Sequence, residues 1–123
     1  MAINKLTENI IGAAMKVHSA LGPGLLESAY QACLTHELEQ QGVSVRSEVL
    51  LPVVYEGETI DAGYRVDLLV DEQVVVELKS VDKVLPIHEA QLITYLKLSN
   101  KKIGLLINFN VLHLRDGITR KAN

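Results

Sequence analysis

Residues 66–80 read VDLLVDEQVVVELKS, an apolar stretch that carries a carboxylate and an ammonium, Glu77 and Lys79, two residues apart. In an extended chain successive side chains point to opposite faces. Val74, Val76 and Leu78 therefore share one face, and Val75, Glu77 and Lys79 the other. Before them, the alternation that buries Val66 and Leu68 turns Asp67 the opposite way, and Asp71–Glu72 supplies a turn between the two runs. Two acids and a lysine are thus carried by neighbouring strands. They form either a solvated face with an ordinary cross-strand ion pair or a site. Glu77 stands among valines, where a charge must be paired or bound to a cation to offset its desolvation.

Working outward, LTENIIGAAMKVHSALG has apolar residues at Ile10, Ala13, Ala14, Val17 and Leu21, a helical spacing, with Thr7 as a cap and Gly22–Pro23–Gly24 as terminator. A second helix follows over LLESAYQACLTHELEQQG, with Leu25, Ala29, Cys33 and Leu38 as core positions. VSVRSEVLLPVVYEG reads as a strand interrupted at Pro52, with a hairpin turn at Gly57. ETIDAGYRVDLLVD alternates as the next strand, and QVVVELKS returns as a central one. PIHEAQLITYLKLSN is helical, with Ile87, Ala90, Leu92, Tyr95 and Leu96 inward. KKIGLLINFNV is another buried strand and LHLRDGITRKAN a partly basic tail. The order predicts an α+β (α/β) sandwich, a mixed β-sheet flanked by helices, whose last helix crosses over to bring its strand in parallel.

At 123 residues the chain is expected to form a single domain, 1–123. Apolar residues make up 48% and charged residues 22%, ordinary for a soluble globular protein. No apolar run approaches the roughly 20 residues of a membrane span, and the N-terminus lacks a signal-peptide pattern. The single cysteine, Cys33, fits a reducing compartment, so the expected location is cytoplasmic. A net charge of −3 gives no global attraction to nucleic acid, so phosphate binding needs a local patch. Lys97, Lys101, Lys102, Arg115, Arg120 and Lys121 are candidates for it, against a solvated helix end and tail. Aromatic content of 4% offers no evident base-stacking platform. The apolar KKIGLLINFNV, left as an edge, would pair with another chain, which predicts a homodimer.

Two carboxylates on adjacent strands can share a hard divalent cation such as Mg²⁺, which takes oxygen ligands and retains several waters. A lysine beside it can orient a water and stabilise charge in a phosphoryl transition state. On the following helix His88, Gln91 and Tyr95 share one face at i, i+3 and i+7. Gln91 facing the sheet could hold a water or phosphate with Tyr95 fixing it; the plainer readings are core packing for Tyr95 and exposure for His88. Arg65 should share the face of Asp67 and contact a phosphate, or else pair with Asp61 or Glu77. Glu27, near a helix start, is also explained by the helix dipole.

Taken together, Asp67-x9-Glu77-x-Lys79 resembles the PD-(D/E)XK nuclease signature, and Gln91-x-x-x-Tyr95 the QxxxY element of its RecB-like branch. Gly24-x-x-Glu27-x-x-Tyr30 resembles the element that names the GxxExxY family of that superfamily. The resemblance covers nearly the whole chain; Val66, not proline, precedes Asp67. It implies a restriction-endonuclease-like core. Its metal ligands would be Asp67, Glu77 and the Leu78 carbonyl, with Glu27 as an additional acid. Lys79 would be catalytic, Gln91 supporting, and Tyr30 and Tyr95 would join Arg65 on the substrate. The implied activity is a Mg²⁺-dependent nuclease, with Mn²⁺ as an alternative ion, acting on nucleic acid and first of all on DNA, within a larger partner system. The competing readings are a non-catalytic nucleic-acid or protein interaction module on the same fold, since fold alone does not establish chemistry, and a hydrolase of a small phosphoester.

Overall fold

Val74–Lys79 is the axis of the molecule. In the computed structural model, which describes residues 1–123, it is the third of five strands in one sheet. The elements in chain order are α1 (Ile3–Leu21), α2 (Glu27–Gln40), β1 (Val45–Leu50), β2 (Val53–Tyr55), β3 (Glu58–Ile60), β4 (Arg65–Val70), β5 (Val74–Lys79), α3 (Pro86–Ser99), β6 (Ile103–Asn108), a 3-10 turn (Leu114–Gly117) and β7 (Ile118–Ala122). The sheet order is β1-β4-β5-β6-β7, and β2 and β3 form a separate hairpin. Only the β5–β6 pair is parallel, because α3 crosses over between them; the other pairs are antiparallel. This is the mixed sheet flanked by helices that the periodicity predicts.

The alternation of β5 feeds two cores. Val74, Val76 and Leu78 pack with Leu68, Val70, Leu105 and Ile107 against α1 and α2, which contribute Leu6, Ile10, Ala14, Val17, Tyr30, Leu34 and Leu38. Val75 packs with Leu69 and Leu106 against Leu92, Tyr95 and Leu96 of α3. Each fully buried Leu or Val contributes about 1.5–3 kcal/mol, so both layers fix the height and tilt of β5. Gly104 permits the close approach of α3, for a Cβ there would meet Leu92 Cδ1 at 2.7 Å.

Several boundaries differ from expectation. Helix α1 begins at Ile3, so Thr7 is not its cap; the Thr7 hydroxyl instead donates to Asn4 O one turn back. Leu25 is exposed because α2 starts two residues later, and its buried face is Tyr30, Leu34 and Leu38. The strand expected from Glu58 onward breaks at Asp61–Tyr64, where Gly63, at φ +80°, donates its N–H to Asp61 Oδ1. In α3, Ile87 (67% exposed) and Ala90 face solvent, and Leu92, Tyr95 and Leu96 face inward.

The largest correction is at the C-terminus. The segment expected to be a tail forms the 3-10 turn and β7, which pairs along β6 from Ile103↔Ala122 to Ile107↔Ile118. KKIGLLINFNV is therefore an interior strand, and the edge argument for a homodimer no longer applies. The same strand parts two of the six cations of the expected basic patch. Alternation along β7 sends Arg120 to Asn4 and Thr7 of α1 and Lys121 to Glu89 of α3, on opposite faces of the sheet.

Candidate functional site

The β4–β5 ladder runs from Val70↔Val74 to Leu68↔Val76 and stops. Continued by one step, the register would place Asp67 opposite Glu77. There the strands part, and side chains replace the backbone ladder. Asp67 N–H donates to Glu77 Oε1 at 3.2 Å, and Leu78 N–H donates to Asp67 Oδ2 at 2.8 Å. Backbone donors freed at the divergence must find partners, and the two carboxylates supply them. The acids of the opening stretch thus lie together in a fork between strands.

The distortion has a second side. On the β1 flank the ladder skips the Glu48–Asp67 step, and Glu48 adopts φ +52°, an uncommon left-handed conformation for a non-glycine residue. Gln31 of α2 holds the kink, its amide donating to Glu48 Oε1 at 2.9 Å and to Asp67 O at 3.4 Å. Strict alternation fails here: Val66, expected on the face of Leu68, packs with Leu51 and Leu69 in the α3 core.

Glu77 is 8% exposed, and its pKa is pushed up to about 9. Burial is the largest cause, followed by the charge of Asp67 and a hydrogen bond shared with it; the Asp67 N–H and the charge of Lys79 oppose the shift. Without a cation the fork therefore retains a proton at neutral pH. Tyr95, on α3, has its phenol pKa raised by burial and then by the charge of Glu77, which places it over the same fork.

Lys79, the last residue of β5, is half-buried and lines a cavity of about 710 Å³ with His88, Gln91 and Tyr95 of α3 and with Tyr64. The i, i+3, i+7 face of α3 is thus turned to the site. His88 is half-buried rather than exposed, and its Nδ1 accepts the Leu85 N–H at the start of α3. Asn108 anchors the chain leaving Lys79: its Oδ1 accepts from Val81 N–H and its Nδ2 donates to Val81 O.

Three further candidates remain. Tyr30 is fully buried, stacked on Phe109 at 4.3 Å between ring centroids, and its hydroxyl joins Gly22 O and Leu25 N–H. It holds the turn before α2 and is closed to substrate. Arg65 is exposed beside Asp61 at 4.0 Å, the ion pair weighed against a phosphate contact. Glu27 is exposed in the first turn of α2, where the dipole favours it. Ser80 Oγ donates to Leu25 O and moors that turn to the end of β5, but no three His, Cys, Asp or Glu side chains gather into a metal-holding group.

The donor set of the fork nevertheless suits a divalent ion. Asp67 and Glu77 each engage one oxygen with a backbone N–H, leaving a second oxygen on each, and both are hard ligands. Gln31, Glu48, Tyr64 and Asn108 were not legible as site residues. Only Asn108, a polar residue inside an apolar strand, carries a signal that could have singled it out.

A family model described as the PD-(D/E)XK nuclease superfamily matches residues 4–121. The chain belongs to the PD-(D/E)XK nuclease superfamily. Comparison with curated proteins and with solved structures gave no match. Enzymes of the PD-(D/E)XK superfamily act on nucleic acid and usually use divalent metal ions, and the sheet with its flanking helices is consistent with their core. No helix is long and apolar enough to cross a membrane.

Proposed function

We propose that this chain, as one domain over residues 1–123, is a cytoplasmic nuclease of the GxxExxY branch that hydrolyses phosphodiester bonds of DNA with Mg²⁺, or Mn²⁺ in its place. The observation that carries the reading is the fork itself: two acids crossed between the strands, Glu77 accepting from Asp67 N–H and Asp67 from Leu78 N–H, one of them buried, with Lys79 two residues on at a cavity. A structural ion pair would neutralise Glu77, whereas this fork retains a proton that a cation can displace.

Asp67 and Glu77 would hold the ion, with the Leu78 carbonyl as a third oxygen and Glu27, from the first turn of α2, as an additional acid. A bound divalent ion supplies positive charge at the scissile phosphate and lowers the pKa of a water. The Lys79 ammonium orients the attacking water for in-line displacement and offsets charge developing on the phosphate. The Gln91 amide, on the cavity wall, binds a phosphate oxygen, and Tyr95 packs beside it to fix its rotamer. The net charge of −3 favours a second reading, an interaction module without catalysis. Incubation with labelled single- and double-stranded DNA and RNA in Mg²⁺, Mn²⁺ or EDTA separates the two. Metal-dependent cleavage of DNA supports the nuclease, and binding without cleavage under every ion supports the module.

A further inference from the structure

The cavity beside Lys79 differs in character from the carboxylate fork. Its walls are mostly apolar or aromatic, with Val53 at the root of the β2–β3 hairpin, Tyr64 where the hairpin rejoins the sheet, and Ile87 and Tyr95 from α3. Tyr64 is 45% exposed, its ring 6.2 Å from that of Tyr95 and tilted by 57°, so the Tyr64 ring is open to a ligand. Only one Lys or Arg lines the space, Lys79 itself. The volume of about 710 Å³ lies in the range of roughly 300–1,000 Å³ typical of sites for small organic groups.

Duplex binding without base contacts depends on phosphates neutralised by many cations. Here Lys16, Arg46, Arg65 and Lys121 face acids, and Arg120 is bonded to Asn4 and Thr7. These are five of the twelve Lys and Arg residues, and of the others only Lys79 lines this cavity, so affinity at the cavity itself must come chiefly from apolar contact. A planar base reaches an aromatic wall only when it is out of the duplex stack.

We propose that the cavity formed by Tyr64, Val53, Ile87 and Tyr95 receives an unstacked nucleobase next to the phosphate held at Lys79, so that the substrate is single-stranded nucleic acid. The inference rests on the nuclease reading for the position of the phosphate, and it deepens that reading by naming the form of the substrate. Although aromatic residues are few, two of the four tyrosines line this cavity. The hairpin between β1 and β4 supplies one wall, and its apolar Val54, Tyr55 and Ile60 remain exposed beyond it.

The test is binding in Ca²⁺, followed by fluorescence anisotropy, of three labelled probes. These are a short single-stranded oligonucleotide, its duplex, and an abasic strand of the same backbone charge. Wild type should prefer the single strand to the other two. Tyr64→Ala should weaken single-strand binding roughly tenfold or more and abolish discrimination against the abasic strand, while Tyr64→Phe keeps both. Circular dichroism confirms that each variant is folded. Equal or tighter duplex binding, undiminished discrimination in Tyr64→Ala, or no binding of any probe overturns the inference. Cleavage in Mg²⁺ is scored separately. Cleavage with no base discrimination refutes the cavity and spares the nuclease; discrimination with no cleavage in any ion does the reverse.

Discussion

Replacing Glu77 with glutamine should stabilise the metal-free protein, by an amount that grows with pH. An unfolded glutamate titrates near 4.3, and in the fork Glu77 is pushed up to about 9. Between these values the folded chain binds a proton that the unfolded chain lacks, so stability falls as pH rises. The contribution is whole below the unfolded pKa and is lost progressively up to the folded one. Each pH unit in this window costs about 1.4 kcal/mol, so from pH 5 to pH 8, three units, wild type should lose on the order of 4 kcal/mol from this group. Glu77→Gln keeps the shape and has no proton to lose. Urea unfolding in EDTA at stepped pH, read as the difference between the two proteins, cancels the four histidines common to both. Near-coincident stabilities at pH 5 that separate by several kcal/mol toward pH 8 are expected. Parallel curves across the whole range would refute the buried, proton-holding carboxylate.

Mg²⁺ binding by wild type should displace the fork's proton, so its affinity should rise with pH below about 9, and calorimetry in buffers of different ionisation enthalpy should report proton release. Tyr30→Phe removes a hydroxyl from Gly22 O and Leu25 N–H and should cost about 1–3 kcal/mol in urea unfolding while substrate affinity stays unchanged. Gly117→Ala drives a Cβ against Asn108 O, a backbone atom that cannot swing away, and should lower Tm by several degrees, consistent with an overpacking cost of about 1–3 kcal/mol. Deleting residues 118–123 uncovers β6 and should produce the self-association that the intact edge prevents, visible by light scattering.

The fold was legible wherever a period ran unbroken. The alternation of Val74–Lys79 placed Glu77 and Lys79 together, and the α3 spacing turned Gln91 and Tyr95 to the same cavity. Legibility ended where local chemistry interrupts the period. The Asx turn at Asp61–Gly63 splits a strand that alternates well on paper. The left-handed Glu48 carries no mark in its residue type, yet it lies opposite the point where β4 leaves β5 and where Val66 changes face. Tyr30 looked like a site residue because it sits in a motif; its hydroxyl is consumed by the turn that the motif builds. The strand Ile118–Ala122 was hidden because an edge strand with Arg120 and Lys121 on opposite faces has the composition of a basic tail.

The division of labour between the fork and Lys79 is tested most directly by measuring Mg²⁺ affinity and strand cleavage together in Lys79→Ala. Lys79 is assigned to the water and the developing charge, so the variant should bind Mg²⁺ as wild type does, while turnover falls on the order of a hundredfold or more. Lys79→Arg should not restore it, because a guanidinium is bulkier and differently hydrated than the ammonium it replaces. Glu77→Ala, in contrast, should lose Mg²⁺ binding and cleavage together. Cleavage by Lys79→Ala at the wild-type rate, with Mg²⁺ bound, would contradict the assignment.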